Sequence, residues 1–434
     1  MPTARRTDGV LELGSVSLAD VARDPRFGTP TYVYDLDGIA AEAAELKSAF
    51  EDGGSPAPHL VAYAVKANSA GPIVKALAAR GCGADVVSGA ELLLAIACGV
   101  PAAQIVFSGV AKTDGELDLA IGVGDSGLGA IQVESVEELP RISARAAAVG
   151  RVARVSLRIN PAVDVGELDT HSYIATGHDE AKFGIPLASV TDALARIEGD
   201  RHLRLVGVGA HVGSQLTSTD GYTSSASAVF AFARDVRARF ELSFVDAGGG
   251  FGIDYGEGCP VRPADFIRRT RALQKEMGLD DLALYCEPGR SLVGAHGVLV
   301  ASVIQRKIAE PRRWMMIDAG MNDLMRPALY QARHRIVAVE QPEGTPTKAY
   351  RVVGPVCESS DDFGVHELPE LPDGGAPREV AILDAGAYGY SMASRYNGRA
   401  LPAEVFLRGG KVVTSTPRSA ADEWVQDRLR APLP

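Results

Sequence analysis

Between Leu60 and Arg290 short apolar runs alternate with longer amphipathic stretches, and this alternation constrains the fold more than any other feature of the chain. Eight runs have the length and composition of strands: 60–65, 84–87, 105–108, 130–133, 154–159, 205–210, 243–246 and 282–286. Helix-like segments such as Ala90–Cys98, Val136–Val149 and Tyr222–Phe240 lie between them. Eight βα units predict an α/β protein built on a parallel (β/α)8 TIM-type barrel, with an open doubly wound sheet as the alternative. A barrel gathers its chemistry at the C-terminal ends of its strands. Those ends carry Lys66, Ser88, Ser108, Glu134, Arg158 with Asn160, His211, the Asp246–Gly250 turn, and Glu287 with Arg290.

Beyond Arg290 the texture changes. Gly297–Ile304, Trp314–Ile317, Tyr350–Val353 and Val380–Leu383 read as strands without regular intervening helices. The strand candidate Thr31–Tyr34 precedes a helical stretch, Ile39–Phe50. The predicted organisation is therefore a barrel over residues 35–298 and a mainly β domain made of 1–34 and 299–434, in keeping with a length that calls for two or three domains. The run Leu371–Pro377 reads as a turn-rich surface loop.

Composition narrows the classes of function. Hydrophobic content of 46% and charged content of 23% are those of an ordinary globular protein. A net charge of −11 disfavours nonspecific attachment to nucleic acid or to an anionic membrane, while leaving room for a small anionic ligand held by local cations. No apolar stretch reaches membrane-spanning length, and the first thirty residues lack the apolar core of a secretory leader. The five cysteines are scattered, with neither metal-ligand spacing nor a disulfide framework. No metal site is expected, and a reducing cytoplasm is the simplest setting.

Lys66 closes the apolar run that starts near Leu60 and is followed by Ala67-Asn68. It is either a solvated lysine opening a loop or an amine desolvated by apolar neighbours, able to attack a carbonyl. In Asp246-Ala247-Gly248-Gly249-Gly250-Phe251-Gly252, glycines either let backbone N–H groups converge on an anion or make a tight turn; the Gly-Lys-Ser/Thr ending of a P-loop is missing. In Glu287-Pro288-Gly289-Arg290, Glu287 is either half of an ion pair with Arg290 or the partner of a pyridine nitrogen, which it would keep protonated as an electron sink. In His211-Val212-Gly213-Ser214-Gln215, the imidazole is either a satisfied core side chain or a cover for a planar cofactor, with the Ser214 hydroxyl offered to a phosphate. Cys357, in Gly354-Pro355-Val356-Cys357-Glu358-Ser359, is either a small buried hydrophobe or an exposed thiol able to donate a proton. Asp384–Tyr390 reads equally as a hairpin turn or as a glycine-rich approach with Tyr388 bonding a phosphate.

Taken together, these segments resemble the pyridoxal-phosphate enzymes of the alanine racemase-like fold, in the family of ornithine, diaminopimelate and arginine decarboxylases. The resemblance runs from about Thr29 to Leu407 and rests on Tyr63–Asn68, His171–Gly177 followed by Lys182–Ile185, His211–Gln215, Glu287–Arg290, Arg326-Pro327-Ala328-Leu329-Tyr330 and Cys357-Glu358-Ser359. It implies pyridoxal 5'-phosphate carried covalently by Lys66 and covered by His211. Gly250, the backbone around Glu287, Gly289 and Arg290, Tyr388 and Ser214 would hold the phosphate, and Glu287 the ring nitrogen. It implies substrate contacts from Arg290, Arg326, Tyr330, Glu358 and Tyr388. Cys357 matches a proton donor that comes from the neighbouring subunit, so a homodimer with shared active sites is expected. The implied reaction is decarboxylation of meso-2,6-diaminopimelate to L-lysine and CO2. The alternatives are a decarboxylase of ornithine or arginine on the same fold, a racemase, against which Glu287 in place of an arginine argues, and a non-catalytic relative, against which the joint presence of Lys66 and Cys357 argues.

Overall fold

The computed structural model describes residues 3–6, 8–51, 57–161, 182–370 and 377–430. The motif His171–Gly177 and residues 371–376 of the expected surface loop lie outside the described residues.

The barrel strands are β1 (Leu60–Ala64), β2 (Gly83–Val86), β3 (Ile105–Phe107), β4 (Ala130–Val133), β5 (Ala153–Asn160), β6 (Leu203–Gly209), β7 (Phe244–Gly249) and β8 (Ala283–Glu287). Each pairs in parallel with the next, β8 returns to β1 through Tyr285↔Leu60 and Cys286↔Val61, and the ring is closed. The alternative of an open sheet is thereby excluded. Strands β1 to β4 are buried at every residue, which explains why they read as continuous apolar runs rather than alternating ones. The helices between them start where the chain supplies caps. Ser88 accepts from the Glu91 amide, and Thr113 forms a reciprocal capping box with Glu116. Inside the barrel Ala130, Val206, Phe244 and Ala283 cluster, with the Phe244 and Tyr285 rings stacked 4.2 Å apart.

The chain divides into two compact units, Ala40–Ile253 with Cys259–Ser291, and Met1–Ile39 with Asp254–Gly258 and Leu292–Pro434. The second unit is mainly sheet. Its long strand Gly297–Ala309 pairs antiparallel with Thr31–Asp35, Glu379–Ile382 and Arg312–Ile317. Thr31–Asp35 pairs in parallel with Ala403–Arg408, so the N-terminal strand is an interior member of a sheet otherwise built from the last third of the chain. Leu13, Leu18, Val33, Val298, Val300 and Val405 form the heart of its core. The short stretch Asp254–Gly258 belongs to this unit although it follows β7 in sequence.

Glu404, on the same strand as Val405 but outside that cluster, is a buried carboxyl of this unit. It is 5% exposed, and its Oε1 has no hydrogen-bond partner among the described residues. Burial pushes its carboxyl up to about 7, against the opposing effect of the Tyr34 hydroxyl. The unfolded chain releases this proton near the ordinary value of about 4.3. Between those values the folded state binds the extra proton, so stability falls as pH rises through the window and levels off above it. In Glu404→Gln that dependence disappears. The stability of the variant relative to the parent should rise by about 1–3 kcal/mol between pH 4.5 and 8 in urea denaturation. A difference that stays constant with pH would refute the assignment.

Candidate active site

Strand β1 ends at Ala64, and a single 3-10 turn, Val65–Ala67, carries Lys66 just past the strand end. The environment of its amine is neither of the two alternatives left open by the sequence, open solvent or purely apolar neighbours. The Lys66 side chain is 34% exposed, and Nζ donates to Oδ2 of Asp85 at 2.6 Å. Asp85 lies in β2, fully buried. The amine is thus positioned by a buried carboxylate on the neighbouring strand.

Three carboxyls, Asp85, Asp246 and Glu287, are buried in this one unit. Burial, reinforced by the charge of Glu287, pushes Asp246 well above the usual carboxylate range. Burial and Glu287 likewise raise Asp85, opposed by Lys66. Glu287 goes the other way. Burial opposes its ionisation, but the His211 contact together with the charges of Lys66 and Arg158 holds it below its usual value. Like charges buried together do not all ionise: the surroundings favour the charged form of Glu287 and the protonated form of Asp246, while Asp85 is paired with Lys66.

His211 follows β6, and its Nδ1 accepts the Gly249 N–H at 3.2 Å while lying 3.5 Å from Oε2 of Glu287. With the Nδ1 lone pair used by Gly249, the neutral ring carries its proton on Nε2. Ser214 and Arg290 stand together, with Nη2 donating to the serine Oγ at 3.0 Å. A hydroxyl beside a guanidinium suits a phosphate.

The glycine run has a packing reason in addition to the one read from sequence. A Cβ at Gly249 would run into the Glu287 carbonyl oxygen, and one at Gly250 into the Gly213 carbonyl oxygen, with Gly250 at φ 94°. The absence of side chains lets the loops after β6, β7 and β8 touch through their backbones.

A second network frames these residues. Glu134, at the end of β4, accepts from the Gly109 N–H at 2.9 Å, from the Gly184 N–H at 3.0 Å, and from Arg158 Nη1 at 3.0 Å. Arg158 Nη2 in turn donates to the His211 carbonyl at 3.2 Å, and its guanidinium lies over the Phe183 ring. Behind them, buried Lys112 donates to the Gly109 and Gln132 carbonyls and to Glu138, whose other oxygen accepts the Glu134 N–H. Strand-end residues that look interchangeable in sequence thus form one connected frame.

The remaining candidates belong to the second unit. Arg326 opens the short helix Arg326–Tyr330 and is buried, with Tyr330 partly exposed at its end. Cys357 and Glu358 are exposed. Their turn is held by Asp361, whose carboxylate accepts the Val356 N–H at 2.7 Å and the Met321 N–H at 2.6 Å, and by Asn397, which accepts the Cys357 N–H at 2.9 Å. Glu358 accepts from the Tyr396 hydroxyl at 2.6 Å. Tyr388 sits at φ 54° and is partly exposed. Sequence reasoning missed Asp85, Asp361 and His334, which is bonded to Arg326. For Asp85 the available signal was a lone acid in a strand with no exposed face.

The barrel residues fit pyridoxal phosphate. Oε1 of Glu287 is buried and has no hydrogen-bond partner among the described residues, and an ionised acceptor left so is costly. A protonated pyridine nitrogen is a donor of the required kind. Lys66 offers the amine, His211 a flat cover, and Ser214 with Arg290 the phosphate contacts.

Comparison with known proteins agrees with this chemistry. Residues 36–294 match the pyridoxal-binding domain of the pyridoxal-dependent decarboxylases. A diaminopimelate decarboxylase of Pseudomonas fluorescens is 40% identical over 403 residues, 92% of each chain. Among solved structures, diaminopimelate decarboxylase from Helicobacter pylori complexed with L-lysine is 36% identical, covers 93% of this chain and 98% of its own, and superposes with a TM-score of 0.85. The diaminopimelate decarboxylase from M. jannaschii in complex with L-lysine is 34% identical over 100% of this chain and 98% of its own, with a TM-score of 0.89.

The Glu134–Arg158 pair is expected to be strongly coupled. Arg158→Met should cost of the order of 3 kcal/mol, because it leaves a buried charge without its cation. Adding Glu134→Gln should recover part of that loss. Urea denaturation of the parent, both single variants and the double variant measures the coupling, and strictly additive losses would show that the pair does not act as a unit.

Proposed function

Because the chain belongs to the family of pyridoxal-dependent decarboxylases, we propose that it removes one carboxylate from meso-2,6-diaminopimelate, yielding L-lysine and CO2. The observation that carries the reading is Glu287, a buried carboxylate that stays ionised with one oxygen lacking a donor. Relatives named diaminopimelate decarboxylase, 36–40% identical over nearly the whole chain, support the substrate.

Bound at Lys66, pyridoxal phosphate supplies an acceptor for the electrons left on the α-carbon when CO2 departs. The chain's own residues do the rest. Lys66 would hold the cofactor through its amine, with the Asp85 carboxylate placed 2.6 Å from Nζ to orient it. Glu287 keeps the ring nitrogen protonated. His211 would cover the ring, and Gly250, Gly289, Arg290, Ser214 and Tyr388 would hold the phosphate. Arg326 takes the distal carboxylate of the substrate, as its planar fork of donors suits. Glu358 takes the distal amine, and Tyr330 completes the pocket.

The protein acts as a homodimer in which Cys357 of one subunit returns a proton at the site built on Lys66 of the other. The exposure of Cys357 and the side-chain anchors of its turn support a thiol that is presented rather than packed away. A positioned acid of this kind contributes roughly 10²–10⁴ in rate. Five free cysteines, with no disulfide among the described residues, favour the cytoplasm.

Release of CO2 from a panel of amino acids tests the reaction. Meso-2,6-diaminopimelate should be preferred, with stoichiometric L-lysine, and a higher kcat/KM for ornithine or arginine would overturn the assignment. Lys66→Ala should lose the borohydride-reducible visible band of the loaded protein; if the band survives, another residue carries the cofactor. For the shared site, mixing inactive Lys66→Ala with inactive Cys357→Ala subunits should restore part of the activity. No recovery under conditions proven to exchange subunits would remove that proposal.

A further inference from the structure

We infer that His334 is a positioning residue for substrate recognition: as a neutral imidazole it aims the Arg326 guanidinium at the distal carboxylate. The inference rests on the reading of Arg326 given above and adds a residue that this reading does not use.

Both side chains are buried, Arg326 at 5% and His334 at 4% exposure. His334 Nδ1 lies 2.9 Å from the Leu383 carbonyl oxygen, and His334 Nε2 lies 2.6 Å from Arg326 Nη1. A carbonyl oxygen only accepts, so Nδ1 carries the proton. A guanidinium only donates, so Nε2 offers its lone pair. The two contacts together require one tautomer of the neutral ring. The Tyr255 ring closes the arrangement. Its centroid lies 4.7 Å from the Arg326 guanidinium carbon and 5.2 Å from the His334 ring, which meets it edge-on at 79°. Tyr255 is itself fixed by a turn in which Asp254 accepts the Gly256 and Gly258 N–H groups at 2.6 and 2.9 Å.

An imidazole acceptor orients a guanidinium without cancelling its charge, whereas a carboxylate in its place would do both. Asp384, a carboxylate whose field reaches Arg326, is held by Nε and Nη2 of Arg335 at 3.0 and 2.6 Å. His334 therefore gives Arg326 a defined direction without itself adding a negative charge.

The product of the reaction retains the distal carboxylate, and this gives a clean probe pair. L-lysine and 1,5-diaminopentane differ only by that carboxylate, and each is measured as a competitive inhibitor of the loaded full-length enzyme. His334→Asn keeps a donor for Leu383 and loses the acceptor for Arg326; His334→Gln can still reach Arg326 with its amide oxygen. His334→Asn should weaken L-lysine about tenfold or more, the loss of one hydrogen bond to a charged group, and leave 1,5-diaminopentane within about twofold. It should raise KM for the dicarboxylate with little change in kcat, and His334→Gln should restore most of the loss. Equal weakening of both inhibitors, or identical behaviour of the two variants, would overturn the inference and leave His334 a packing residue. Arg326→Ala serves as the control. If it fails to discriminate between the two inhibitors, the clamp itself is misassigned; if it discriminates and His334→Asn does not, only the role of His334 falls.

Discussion

Burying Asp85, Asp246 and Glu287 in one barrel would be prohibitive if all three were charged and alone. The surrounding groups divide the cost unequally. Lys66 pairs with Asp85 across β1 and β2, Asp246 takes up the proton that its neighbour does not, and Glu287 is left ionised under the influence of His211. That division bears on the chemistry proposed for the site. A charged partner at Glu287 supports a protonated ring and electron withdrawal, while an arginine there would withhold the proton.

The cluster holds its geometry because the strand ends are tied to one another rather than to solvent. Glu134 alone joins three places, the loop residues Gly109 and Gly184 and Arg158 of β5, and Arg158 extends the tie to the backbone of His211. Lys112 and Glu138 lock the same frame from behind. Every oxygen of Glu134 is engaged, whereas Glu287 keeps an oxygen without a donor. The frame is satisfied and Glu287 is not, which is the contrast expected if the first is scaffold and the second belongs to the proposed site.

Much of this was legible in the chain. The eight apolar runs gave the barrel because strands covered on both faces must be apolar throughout, and the residues after each run gave the rim of the site. What could not be read were partnerships. Asp85 sits inside the run Gly83–Val86 and faces Lys66 only because parallel pairing brings Ala64 beside it. Glu134 and Arg158 were visible as strand ends, but their bond depends on the closure between β4 and β5. The glycines after β7 were read as room for an anion; the backbone of neighbouring loops also occupies that space. In the second unit the limits are sharper. Tyr255 joins Arg326 and His334 across some seventy residues of chain, and no spacing rule reports such a meeting.

Arg326 and Arg335 show how one residue type is turned to two uses within a short stretch of chain. Arg335 meets a carboxylate through two nitrogens, and its charge is spent within the protein. Arg326 meets an imidazole, and its direction is fixed while its charge persists. Had the partners been exchanged, the first would be an exposed cation near a turn and the second a neutralised pair indifferent to substrate. If Arg326 takes the far carboxylate of the substrate as proposed, that recognition would depend as much on the neutrality of His334 as on the charge of the arginine it holds. Neutrality is a property that no count of basic residues reveals. It follows from a carbonyl oxygen at one ring nitrogen and a guanidinium at the other, which leave the imidazole a single protonation state compatible with both.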